Sequence, residues 1–335
     1  MRSLFYDKAI RKKFFRRIGF GASLILLLLL LRQIHLRVAE SAGGWAAVST
    51  ASPLYFIASL LLLPVGFGVE AHKWRQLLRT AGAPWVGLQK AFVSVLCGTA
   101  ASAVTPNRLG DYPGRVLALR GVSLQSGTVA GVLGAGSQLA TLFIWAIPAV
   151  LFTDIPPNFL PQKVLAALTI LGALAALGVY FYSGRWVALL LRMPWLHRLL
   201  ASKQQHVDER VPAGTRWMAL GWSLLRFAVY TTQFWLLLQW LSVPIPLFQG
   251  WLRCAFFFSL LAVIPNFALA EIGIRGAVAL FLFDVSGNSS AAVFLASLVL
   301  WITNLALPSL VGALLWFRTI KPSEQKRAQA PATET

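Results

Sequence analysis

Two stretches repeat one phrase at the ends of apolar runs: Ala103-Val104-Thr105-Pro106-Asn107 and Ala262-Val263-Ile264-Pro265-Asn266. An acid and, four positions later, an arginine follow each: Asp111 and Arg115 in the first copy, Glu271 and Arg275 in the second. Proline breaks a helix, and irregular backbone with ionisable groups at hydrocarbon depth is tolerated only against protein or a wet cavity. Two such interruptions at corresponding places of two halves point to a transporter-like central site.

The chain has 335 residues, 57% hydrophobic and only 12% charged. A soluble domain carries about 25% charged residues, so this is an integral membrane protein with almost no extramembrane domain. Cys97 and Cys254 both lie in apolar runs, which argues against a disulfide framework. The four histidines, His35, His72, His197 and His206, have no metal-ligand spacing. No cofactor motif is present, and no Ser/His/Asp set, Cys/His set or Gly-rich phosphate loop marks an enzyme.

The formal charge of +19 lies beside the apolar spans. Arg2, Lys8, Arg11, Lys12, Lys13, Arg16 and Arg17 crowd the start, a second cluster runs from Arg185 to Arg216, and Arg318, Lys321, Lys326 and Arg327 close the chain. This placement is what the positive-inside rule demands, with attraction to anionic lipid headgroups as a consequence and no need for a nucleic-acid partner. Ile18–Leu31 has the outline of a signal peptide, but Arg32 and Arg37 follow the apolar run directly, so it reads as a retained first span.

Spans of about 20 apolar residues fall at Ile18–Leu36, Pro53–Ala71, Thr128–Phe152, Val164–Ser183, Trp217–Leu241 and Ser290–Phe317. Two more apolar segments, Trp85–Val104 and Leu247–Ile264, run into the Pro-Asn phrases. If all eight crossed, the basic Arg185–Arg216 loop would lie outside. If Trp85–Val104 enters and returns, the basic segments become cytoplasmic together. The expectation is therefore an all-α polytopic membrane protein with about six full spans and two re-entrant helical hairpins, forming an inverted repeat of halves 53–183 and 217–317. Residues 1–17 and 318–335 are then cytoplasmic, the latter as a disordered tail, and 184–216 is an amphipathic interfacial linker. The location is the inner (plasma) membrane, with both termini cytoplasmic.

The candidate substrate-binding residues are Asn107, Arg108, Asp111, Arg115, Arg226, Asn266, Glu271 and Arg275. Arginine suits phosphate because its planar fork binds two oxygens, and free N–H groups at the broken helix would add to an anion-binding corner. Asp111 and Arg115 also admit a purely structural reading, mutual neutralisation, as do Glu271 and Arg275. Arg226 is a mid-span arginine followed by Tyr230 and Gln233 at helical spacing, expected to face the same site and pair with Glu271. Glu70 suggests a structural or headgroup-organising salt bridge, whereas Lys73 and Arg75 read as interfacial anchors. Gly273 and Gly276 allow close backbone approach. Asn304 and Pro308 suggest a kink and an interhelical hydrogen bond.

Three phrases in order, Glu70-x-x-Lys73-Trp74-Arg75, Thr105-Pro106-x-Arg108-x-Gly110-Asp111-x-x-x-Arg115 and Pro265-x5-Glu271-x-Gly273-x-Arg275, resemble the lysylphosphatidylglycerol synthase transmembrane-region family. The resemblance covers about Ile18 to Phe317. In bifunctional members it implies a membrane unit that moves aminoacylated phosphatidylglycerol between leaflets, beside a soluble domain that makes this lipid. The chain is expected to lack that domain, hence synthase activity. Asp111 stands where the family has glutamate, and Phe267-Ala268-Leu269 replaces a Gly-rich stretch. The resemblance implies a translocase or lipid-binding transporter for an anionic or zwitterionic lipid, phospho- or isoprenoid-linked. The alternatives are a non-catalytic scaffold binding cell-envelope enzymes and a membrane-embedded transferase.

Overall fold

A computed structural model describes residues 52–105, 108–155, 160–182, 211–264, 270–283 and 288–316. The described residues form helices only: α1 (Pro53–Thr80), α2 (Leu88–Ala103), α3 (Asp111–Ala118), α4 (Leu124–Phe152), α5 (Gln162–Phe181), α6 (Ala213–Trp240), α7 (Leu247–Val263), α8 (Ala270–Phe283) and α9 (Asn288–Trp301). Helix α9 runs on through a π-helical turn (Ile302–Ala306) to residue 316. The Ile18–Leu36 span, Ser183, residues 184–210 of the linker and the tail lie outside the described residues.

Among the described residues, four helices are long and apolar enough to cross a membrane: Pro53–Thr80, Leu124–Phe152, Gln162–Phe181 and Ser289–Trp316. Helix α6 has 28 residues but is more polar, carrying Arg216, Arg226 and Gln233. Its apolar length is interrupted because it packs against protein. The expectation for α1 is corrected at its end: the helix does not stop at Ala71 but runs to Thr80, so Glu70, Lys73 and Arg75 are helical residues inside the bundle rather than a span boundary.

Helices α1 and α6 form the central pair and run antiparallel. Gln233 Nε2 donates to the Ser59 carbonyl at 3.0 Å near one end, Lys73 Nζ donates to Ser223 Oγ at 3.1 Å, and the Thr80 and Thr215 hydroxyls meet at 3.4 Å at the other end. Both helices stop in the same way. The Gly82 and Ala83 N–H groups return to the Arg79 and Leu78 carbonyls, as those of Ser242 and Val243 return to Gln239 and Leu238. Gly82 and Ser242 take φ of 91° and 54°, the left-handed conformation that closes a helix C-terminus. Pro84 and Pro244 then forbid continuation.

Each turn leads into a helical hairpin. In the first, α3 folds back along α2: a Cβ on Gly110 would stand 2.6 Å from the Ala101 carbonyl oxygen, and one on Gly114 would stand 2.6 Å from Ala101 Cβ and 3.1 Å from Gly98 Cα. The glycines let the two arms touch backbone to backbone. Helices α7 and α8 make the second hairpin, whose Phe257, Val278 and Leu282 belong to one buried cluster with Phe234 and Val293.

The hairpins exchange partners across the molecule. Ser259 of α7 donates to the Leu142 carbonyl of α4 at 2.8 Å, and Trp251 meets Trp145 edge-on at 4.9 Å. Reciprocally, Ser309, in the helix that continues α9, donates to the Thr99 carbonyl of α2 at 3.2 Å. The first arm of each hairpin thus packs on the long helix that follows the hairpin of the opposite half. The kink expected at Asn304 and Pro308 is a π-helical turn in which the Leu307 N–H reaches back to the Ile302 carbonyl, because Pro308 has no N–H to continue the α-helical ladder. The Asn304 amide does not bond another helix. It donates to Leu300 of its own, at 3.3 Å.

Candidate functional site

Glu70 is the hub of the first charged group. It is 0% exposed, yet its carboxylate meets Arg115 NH1 at 2.5 Å, Arg226 NH1 at 2.8 Å and Lys73 Nζ at 2.9 Å. A buried carboxylate without such partners would cost several kcal/mol, and here the compensation comes from three helices. Lys73 lies one helical turn from Glu70, Arg115 arrives on α3, and Arg226 arrives on α6 because the antiparallel pairing sets it level with Glu70. Gln138 of α4 completes the ring. With its amide oxygen turned to the cations it accepts from Arg226 at 2.6 Å and Lys73 at 3.2 Å, the orientation that the donors require.

Arg115 is also held by Asp111, with Nε on Oδ1 at 2.9 Å and NH2 on Oδ2 at 2.6 Å. This bidentate pair is the i,i+4 contact expected from the sequence. It closes against α2 only because residue 98 is glycine: a Cβ there would lie 2.5 Å from Arg115 Cγ and from Asp111 Oδ1. The guanidinium carbon is 4.6 Å from the Tyr112 ring centroid and 5.5 Å from that of Trp74, within cation–π range of both. Trp74 is fixed in turn by donating Nε1 to Ser94 Oγ at 3.0 Å.

The second charged group joins the two hairpins. Arg108 NH2 meets Glu271 Oε1 at 2.5 Å, and Arg275 Nε meets the same oxygen at 2.9 Å. Arg275 lies over the Phe257 ring at 6.0 Å, the place that glycine takes beneath Arg115 in the first hairpin. Arg108 adopts φ of 57°, a conformation that costs a non-glycine residue about 1–2 kcal/mol. The turn that holds it there is tight: Gly110 N–H donates to Thr105 Oγ1 at 2.8 Å and Arg108 N–H to the Thr105 carbonyl at 3.3 Å. These two N–H groups are therefore engaged within the turn.

The structure thus brings together Glu70, Lys73, Asp111, Arg115 and Arg226, and separately Arg108, Glu271 and Arg275. Three expectations are corrected. Arg226 pairs with Glu70 rather than Glu271, since α6 lies alongside α1. Lys73 is not an interfacial anchor but an ion-pair partner, 1% exposed. Gly276 is a close-approach site, under the Phe294 ring, while Gly273 faces open space. Arg75 is half-buried, and its Nε has no partner. Asn107 and Asn266 lie outside the described residues. Sequence reasoning missed Gln138 and Ser223. An amide in the middle of the apolar α4 was the available signal for the first, while a serine carries none.

Helices of this length and apolarity around a charged interior define a polytopic membrane protein. Residues 17–312 match the family described as the lysylphosphatidylglycerol synthase TM region, and the chain belongs to it. No match is found among curated proteins. The family relates the chain to lipid metabolism.

Proposed function

We propose that this chain handles a lipid as a translocase or lipid-binding transporter, and that the lipid is anionic or zwitterionic with a phosphate in its headgroup. One observation carries the reading. Within the apolar bundle, five basic side chains (Lys73, Arg108, Arg115, Arg226 and Arg275) meet three acids (Glu70, Asp111 and Glu271). An uncompensated positive charge among membrane helices is costly and marks a functional site by default; an anionic group entering there would lower that cost. Four of the five are arginines, the residue suited to phosphate.

The antiparallel α1 and α6, the matched turns after them and the exchanged hairpins support an inverted-repeat arrangement, in which hairpins approach from opposite faces and gate alternately. In this reading the hairpins are re-entrant, and the basic termini set the orientation with both ends in the cytoplasm. Each acid of the two groups is engaged by a cation, which supports a binding rather than a base-catalytic role.

The test is lipid flipping in proteoliposomes, read from dithionite quenching of fluorescent phospholipids. The protein is expected to expose inner-leaflet label within the assay, and the Glu271→Ala, Arg275→Ala double variant to slow this at least tenfold. Equal rates for the two proteins would overturn the reading.

A further inference from the structure

The two charged groups are built differently. Arg115 is 1% exposed, its Nε and NH2 are occupied by Asp111 and its NH1 by Glu70, and aromatic rings lie within reach of its guanidinium. It offers little to a ligand. Arg108 is 42% exposed and stands at the tip of the first hairpin. Arg275, 10% exposed, approaches from the second. Their donors converge on one atom, Glu271 Oε1. A single oxygen held by two guanidiniums is the arrangement that a phosphate oxygen would also satisfy, and the fork geometry of arginine accepts either anion.

Resting on the lipid reading above, we infer that Glu271 is an internal stand-in for the ligand. Its carboxylate occupies the Arg108–Arg275 pair until the phosphate of an anionic lipid headgroup replaces it. Replacement breaks the Arg108–Glu271 bond, which ties the tip of the first hairpin to the second, so headgroup capture and release of the hairpins are one event. The exchange is nearly balanced in Coulomb energy because one anion succeeds another on the same two cations. The displaced carboxylate, now without its partners, regains water as the hairpins part, which offsets the cost of burying it alone. The Glu70 group takes no part and holds α1, α3 and α6 together throughout. Capture of the anion is thereby coupled to movement without a separate sensor: the differential affinity of the two states for the headgroup supplies the shift.

Removing the stand-in should therefore tighten binding. The purified full chain would be titrated in detergent with dioctanoyl-phosphatidylglycerol, and with inorganic phosphate as a second probe. E271Q is expected to bind the lipid about tenfold tighter than the unaltered protein, and R275Q at least tenfold weaker. Spin labels at Leu109→Cys and Gly273→Cys, both exposed positions, are expected to move apart on adding lipid and to stand apart already in E271Q. If E271Q does not elute as a single species, E271D, which keeps the charge but shortens its reach, is expected to bind several-fold tighter. An unaltered protein that binds no lipid would overturn the lipid reading itself. Lipid binding that is equal or weaker in the Glu271 variants, or labels that do not move, would overturn the exchange alone. Inorganic phosphate reproducing both effects at equal concentration would uphold the exchange and remove the lipid from it.

Discussion

Glu70 of α1 and Arg226 of α6 meet at 2.8 Å where the two central helices lie level with each other. The bond joins the two halves of the chain, and the same carboxylate also holds Lys73 beside it and Arg115 of the first hairpin. One acid therefore serves three cations, two of them buried and Arg226 half-buried. A ligand-free role follows for it: Glu70 sets the relative placement of α1, α3 and α6.

Replacing Glu70 leaves those cations without their shared counter-charge. Breaking a buried pair by removing one partner costs about 3–5 kcal/mol, so Glu70→Gln is expected to lower the melting temperature in detergent sharply. Adding Lys73→Met to Glu70→Gln removes one orphaned charge and should recover part of the loss. A thermal shift for Glu70→Gln no larger than that of an exposed substitution would sink the hub role.

Gly98→Ala tests the closure of the first hairpin. The added methyl would stand 2.5 Å from Arg115 Cγ and Asp111 Oδ1, atoms fixed by two carboxylates and unable to yield. Overpacking of this kind costs about 1–3 kcal/mol. Faster proteolysis between α2 and α3 is the expected signature, and an unchanged digestion pattern would count against it.

The matched turns make opposite predictions for similar changes. Gly82 and Ser242 both have positive φ, where a side chain is strained and glycine is not. Gly82→Ser should destabilise by about 1 kcal/mol and Ser242→Gly should stabilise by a smaller amount. The expected order of melting temperatures is Ser242→Gly, then the unaltered protein, then Gly82→Ser.

Because α1 and α6 are antiparallel, Thr80 lies beside Thr215 at one end of the bundle, and Ser242 follows the opposite end of α6. Cysteine placed at 80 or at 242, with the buried Cys97 and Cys254 replaced, should react with an impermeant maleimide from opposite faces of sealed vesicles. In the orientation proposed above, position 80 is expected to label from the cytoplasmic face. Labelling of both positions from one side would contradict the arrangement.

Much of this architecture was legible because apolar length and proline are local signals. The spans at Pro53, Thr128, Val164 and Ser290 correspond to α1, α4, α5 and the helix through α9, and the Pro-Asn phrases fall between the arms of both hairpins. The acid–arginine spacing likewise anticipated the bonds Asp111–Arg115 and Glu271–Arg275, since i,i+4 neighbours on a helix meet without help from elsewhere. The end of α1 was misread at Glu70 because charge was taken for a boundary, whereas the Glu70 carboxylate is compensated by Arg115 and Arg226 from distant sequence.

What the sequence alone determined was what a helix dictates within itself: where apolar runs make spans, where proline stops them, which charges share a face, and the family to which their order belongs. Tertiary structure decided the pairings across helices. Arg226 found Glu70 and not Glu271, Arg108 became the bond between hairpins, and Gln138 and Ser223 were drawn into the polar ring. Each depends on which helices lie alongside and in what direction. That is settled by close approach at glycines and by burial of whole faces, quantities no single segment carries.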